Sequence, residues 1–177
     1  MSKLKLATVW LDGCSGCHMS FLDLDERLLA VAEKADLVYS PLVDFKEFPP
    51  DVDITLVEGA VSSEEDLHKI KSIRERTKTL VSLGDCAVTA NVPGMRNPFY
   101  TPDVYHRAYF ENATLDPAVP KEVVPPLLPF ARPVHEIVPV DVFVPGCPPS
   151  ADVIFSAVSE LLDGKQPNLS VKTRFGA

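Results

Sequence analysis

Four cysteines are the residues best placed to do chemistry: Cys14, Cys17, Cys86 and Cys147. The first two form a close pair, and the others lie far downstream. Thiolates bind soft metals and iron–sulfur cores, and paired thiols form disulfides. Each cysteine has a glycine within two residues: Gly13, Gly16, Gly84 and Gly146. Glycine lets backbone N–H groups approach the sulfides of a cluster, which tunes its potential. Pro148 follows Cys147, as in the Cys-Pro ending of bacterial ferredoxin motifs. Structural zinc usually takes two close pairs, whereas only one pair is close here. These features favour a four-iron cluster. A four-cysteine zinc site, and cysteines used for packing or a disulfide, stand as the alternatives.

The surrounding pattern explains how such distant residues could meet. Leu4–Leu11 reads as a buried strand, with further strands near Leu37–Val43, over Asp53–Val61, over Thr79–Leu83 and over Asp141–Val144. Helical patterns separate them. One begins at Ser20, read as its cap, with Leu24, Leu28, Leu29 and Ala32 on one face. Ser62 and Glu65 read as a capping box that opens a helix to about Thr77. Ser150 reads as the cap of a last helix, with a stripe of Val153, Ile154, Ala157, Val158, Leu161 and Leu162. Strand–helix alternation of this kind implies an α/β fold with a doubly wound parallel sheet. The cysteines then follow the first, fourth and fifth strands, so all four fall at carboxyl ends on one sheet edge, where open parallel sheets bind ligands. Residues 92–139 are proline-rich and irregular, with a short helix expected within Val119–Phe130. They read as an insertion before the last strand of a single domain spanning 1–177.

The chain has 177 residues, 46% hydrophobic and 24% charged, with a net charge of −8. That charge argues against nucleic acid, whose binding needs cations along the phosphates, and against an anionic membrane surface. The opening Met1-Ser2-Lys3 and the apolar run after it are too short for a signal peptide or a membrane span. We therefore expect a cytoplasmic protein. Disulfides are rare in that compartment, which gives a metal or redox role more weight.

At this point the motifs match a family. Trp10-Leu11-Asp12-Gly13-Cys14-Ser15-Gly16-Cys17, Glu58-Gly59, Gly84-Asp85-Cys86-Ala87 and Val144-Pro145-Gly146-Cys147-Pro148-Pro149 resemble the small subunit of [NiFe] hydrogenases. The sequence is similar also to the cluster-bearing subunit of NADH:quinone oxidoreductase. That subunit carries adjacent cysteines, whereas here Ser15 and Gly16 separate the pair. No cysteine follows Cys147, as in the short small subunits of bidirectional, NAD-reducing hydrogenases. The resemblance implies a flavodoxin-like fold and one [4Fe-4S] cluster on Cys14, Cys17, Cys86 and Cys147. It implies partners too: a large subunit carrying the Ni-Fe site, and flavin- and iron-sulfur-bearing diaphorase subunits that handle NAD. The implied role is electron relay, with no catalytic residue on this chain. A quinone-reductase-like subunit and a zinc-stabilised flavodoxin-like binding module are the competing functions.

Other residues complete the reading. FMN often binds the same edge of flavodoxin-like sheets. Here the first loop holds cysteines aimed at a metal, so FMN is possible but not favoured. Glu58 ends an apolar strand at the ligand edge. It could position the cluster loops from behind or lie on a proton path, or it could be a solvated strand end accepting backbone N–H bonds. Asp12 and Asp85 read as caps of the turns that follow them. His18 could replace a thiolate as ligand, but with four cysteines available it reads as a loop residue or interface contact; Trp10 reads as core in preference to an electron conduit. Phe99 to Phe110, with Met95 and Arg96, has the composition of an interface, and packing over the sheet edge explains it almost as well. The charges from Glu64 to Arg76 read as a solvated helix face.

Overall fold

The computed structural model describes residues 3–170, 172 and 173; Met1, Ser2, Val171 and 174–177 lie outside the described residues. In chain order the elements are β1 (Leu4–Trp10), α1 (Gly16–Leu22), α2 (Arg27–Lys34), β2 (Ala35–Tyr39), β3 (Val52–Glu58), β4 (Val61–Ser63) and α3 (Glu64–Glu75). Then come β5 (Thr77–Leu83), α4 (Asp85–Thr89), α5 (Asn91–Gly94), α6 (Thr101–His106), β6 (Leu127–Arg132), β7 (Val142–Val144) and α7 (Ala151–Leu162).

Five of the strands form one parallel sheet in the order β2-β1-β3-β5-β7. Counting these strands alone, that is the flavodoxin-like order 2-1-3-4-5. Both faces are covered, as burial of parallel strands requires. On one side Leu6, Ile54, Leu56, Val81, Leu83 and Val144 pack against Phe21 of α1, Val31 of α2 and Ile154, Ala157 and Val158 of α7. On the other, Val9, Val57 and Leu80 pack against Ile70 and Ile73 of α3 and Ala87 of α4. The expected doubly wound α/β sheet is thus the observed one.

The register places the site. Trp10 pairs with Glu58, Glu58 with Leu83, and Leu83 with Val144. These four residues end four adjacent parallel strands, so the loops carrying the cysteines leave the sheet in one row.

Several local expectations differ from the structure. The helix expected from Ser20 is two helices. The first begins at Gly16 and contains Ser20, so Ser20 caps nothing; its Oγ donates to the Pro149 carbonyl at 2.6 Å. A turn with Asp25 at φ 49° separates the two, a conformation aspartate tolerates better than most residues. The second strand lies earlier, at Ala35–Tyr39, and the third ends at Glu58. Val61 belongs to β4, which pairs antiparallel with β6 in a separate small sheet. The capping box of α3 is Ser63 with Asp66, one position beyond the expected Ser62 and Glu65. Ser150 caps α7 as expected.

Residues 92–139 are more ordered than their proline content suggests. They hold most of α5, all of α6, a π-turn over Arg107–Glu111 and β6. No helix forms within Val119–Phe130. Pro120, Pro125, Pro126 and Pro129 remove amide donors from that stretch, and its second half extends against β4 instead. Arg96 and Asn97 bind this segment in place. Arg96 donates to the carbonyls of Ser62, Leu128 and Pro129, and Asn97 bonds both backbone groups of Ala131. Arg96 is therefore a structural tie, while Met95, Phe99 and Tyr100 beside it are exposed. Trp10 is exposed also, with its indole N–H donating to the Gly13 carbonyl, and so is not core. Among the described residues, no helix is long and apolar enough to cross a membrane.

Candidate metal centre

Cys14 and Cys17 leave the end of β1 through a turn with Ser15 at φ 69°; Cys17 opens onto α1. Cys86 lies in α4 just past β5, and Cys147 in the loop past β7. All four are free thiols, Cys17 and Cys86 buried, Cys14 and Cys147 exposed. That arrangement removes the disulfide reading for the described structure.

Backbone and side-chain bonds lock the loops together. Gly84 N–H donates to the Val144 carbonyl at 2.8 Å and Asp85 N–H to the Gly146 carbonyl at 2.9 Å. The Asp85 carboxylate returns the bond, accepting from Gly146 N–H at 2.7 Å. Asp85 thus clamps the Cys86 loop to the Cys147 loop instead of capping a turn. Ser20 ties α1 to the Cys147 loop through Pro149. Asp12 is no turn cap either: its carboxylate accepts from the Ser62 hydroxyl, and its backbone pairs with Ala60. Close approach dictates the glycine at position 84 and leaves little room at position 16. A Cβ on Gly84, which sits at φ 83°, would run into Cys17 Sγ; one on Gly16 would lie 3.2 Å from Cys14 Sγ.

Glu58 sits behind this row, 1% exposed. Its carboxylate accepts from Cys17 N–H at 3.4 Å, from His18 N–H at 2.9 Å and from the His18 imidazole Nδ1. It is therefore not a solvated strand end, and His18, 2% exposed, is neither a loop residue nor a surface contact. His18 Nε2 has no partner among the described residues. No local sequence feature signals this pairing, because it depends on the register of β1 against β3 across 40 residues of chain.

The electrostatics describe what the centre would accept. Burial, then Glu58, then the thiols of Cys86, Cys14 and Cys147 push the Cys17 pKa far above the ordinary thiol range. Cys86 is pushed up by burial as well, against a lowering hydrogen bond from the Val92 N–H, with Cys14, Cys147 and Glu58 adding to the rise. Four thiols close enough to oppose one another's ionisation share one small region. Bare thiolates are disfavoured there, and a cationic centre among them reverses that, since a coordinating thiol is deprotonated outright. Among the described residues no three His, Cys, Asp or Glu side chains are grouped so as to hold a single metal ion. A zinc ion needs its sulfurs within about 2.3 Å of one point. Four free thiols converging at one end of the sheet are a donor set of the kind that holds iron–sulfur clusters.

Known proteins are similar to this chain in sequence and in fold. The family model described as NADH ubiquinone oxidoreductase, 20 Kd subunit, matches residues 14–161, which contain all four cysteines. The chain belongs to that family. Its relatives include hydrogenase subunits. The NAD-reducing hydrogenase HoxS subunit delta of Cupriavidus necator is 46% identical over 169 residues, covering 92% of this chain and 80% of that protein. The vhu F420-non-reducing hydrogenase of Methanocaldococcus jannaschii has a subunit 37% identical over 171 residues; the match covers 96% of this chain but 59% of that longer protein. A crystal structure of NAD+-reducing [NiFe]-hydrogenase in the H2-reduced state superposes with a TM-score of 0.93 at 38% identity, covering 98% of this chain and 99% of that one. The resemblance carried by the four sequence motifs is borne out, and the chain is a hydrogenase-type small subunit, a member of an enzyme complex.

Proposed function

We propose that this chain is the electron-transfer small subunit of an NAD-reducing [NiFe] hydrogenase, holding one [4Fe-4S] cluster on Cys14, Cys17, Cys86 and Cys147. The observation that carries the reading is the convergence of four free thiols from three loops onto one end of the sheet. Similarity to the NAD-reducing hydrogenase subunit and structure supports the partner side of it.

A bound cluster would supply a one-electron relay between a large-subunit Ni-Fe site and flavin and iron-sulfur diaphorase subunits that reduce NAD. The chain's own residues bind and shield. Cys17 and Cys86 hold the buried side, and Cys14 and Cys147 face outward, where a partner subunit would exclude water. Glu58 positions Cys17 through its N–H and fixes His18 behind it. We assign the complex to the cytoplasm and the whole chain to one iron-sulfur domain, and we do not favour FMN on it.

The test is metal, sulfide and flavin analysis of the anaerobically purified complex, with EPR of the reduced state. The proposal expects iron and acid-labile sulfide in this subunit and nickel in its partner. Zinc without sulfide would select the binding-module reading, and a quinone-reducing complex without nickel would select the quinone-reductase one.

A further inference from the structure

Just past Cys86 the chain makes a turn that its sequence does not favour. Ala90, 4% exposed, sits at φ 61° and ψ 3°, in the left-handed region that alanine rarely enters. Such strain persists only where the surroundings impose it, and it concentrates at functional sites. Here the turn is held from both sides: Ala90 N–H donates to the Cys86 carbonyl at 3.0 Å, and the Ala90 carbonyl accepts from Gly94 N–H at 2.6 Å. Its result is to aim the next two residues at sulfur. The Asn91 side-chain amide donates to Cys147 Sγ at 3.5 Å, and the Val92 backbone N–H donates to the Cys86 thiol. One strained residue thus presents donors to two cysteines from different loops.

We propose that Asn91 sets the reduction potential of the cluster assigned above, by hydrogen-bonding to the Cys147 sulfur. This rests on the relay reading. Reduction adds negative charge that spreads onto the sulfurs, and a donor bonded to sulfur stabilises the more negative state more. Asn91 therefore raises the potential, drawing the electron onto the cluster. The amide is neutral and does not titrate, so its contribution is the same across neutral pH. Asn91 touches a ligand and not a reacting substrate, and its role is to tune.

The test is a potentiometric titration of the anaerobically purified complex, followed by EPR. The signal of this chain is identified by its loss or alteration in the Cys86→Ser complex. Asn91→Leu, which fills similar volume and donates nothing, should lower the reduction equilibrium constant about tenfold, about 59 mV for one electron. Asn91→Asp should shift it the same way and further, because its charge faces sulfur. Iron content should stay at the wild-type level in at least one of the two variants. An unchanged midpoint with full iron overturns the role of Asn91 and leaves the relay reading standing. Loss of iron from both variants overturns it also, since Asn91 would then be a structural residue. A wild-type complex with no iron-sulfur signal from this chain overturns the relay reading and this inference together.

Discussion

Replacing Glu58 tests how the buried edge of the centre is held. The carboxylate is 1% exposed and accepts three bonds: from Cys17 N–H, His18 N–H and the His18 ring. Glu58→Ala leaves all three groups buried without a partner. Each orphaned donor costs about 1–3 kcal/mol, and water entering the vacated volume recovers part of that. We expect a net loss of about 3–5 kcal/mol, the range seen when one member of a buried pair is removed. Glu58→Gln keeps one carbonyl oxygen, which can still accept from His18 N–H and the ring. Only the longest contact, 3.4 Å to Cys17 N–H, then faces an amide NH2. That substitution should cost about 1 kcal/mol. In a chain of this size each kcal/mol moves the melting midpoint by about 2–4 °C. The alanine variant should therefore melt about 10 °C lower and the glutamine variant about 2–4 °C lower. The assay is anaerobic melting of the purified complex, followed by loss of visible absorbance. Equal midpoints for the two variants, or an alanine variant within about 2 °C of wild type, would refute the clamp.

Three further outcomes are expected. Gly84→Ala should strip iron from the chain or prevent its assembly, because a Cβ there meets Cys17 Sγ in a backbone that glycine alone adopts easily; iron per chain measures it. Ser63→Ala should destabilise by about 1 kcal/mol through loss of the α3 cap, whereas Glu65→Ala should be near neutral, as melting midpoints will show. Burial pushes the Asp53 carboxyl up, but the Lys78 ammonium and the Lys5 N–H outweigh it and hold it below its ordinary value. A depressed carboxyl stabilises the fold above the ordinary aspartate range, roughly pH 4, and loses that contribution as pH falls through the folded value. Lys78→Ala should therefore lower stability at neutral pH and flatten its decline on acidification, read from denaturant midpoints across pH.

Much of the site was legible because its signals are local. Each cysteine follows an apolar strand and has a glycine within two residues, so the edge could be placed without knowing the fold in detail. The resemblance then rested on the same four segments. What escaped the sequence depends on long-range register or on conformations with no residue signature. His18 meets Glu58 only because Trp10 pairs with Glu58 across β1 and β3. Asp85 looked like a turn residue, and its bond to Gly146 requires β5 and β7 to be neighbours. The capping box slipped by one because Ser62 and Ser63 precede a run of three acids, which leaves the start ambiguous. Residues 127–132 form a strand because β4 offers an unpaired edge far upstream, while Pro129 within them and Pro125 and Pro126 before them disguised it. Ala90 gave no sign of its left-handed turn, so Asn91 could not be linked to Cys147 in advance.

Iron and acid-labile sulfide counted in this subunit of the anaerobic complex address the central claim most directly. The account predicts about four of each per chain, both falling sharply when Cys17 or Cys86 becomes serine. A wild-type subunit holding neither, or holding zinc in their place, would contradict it.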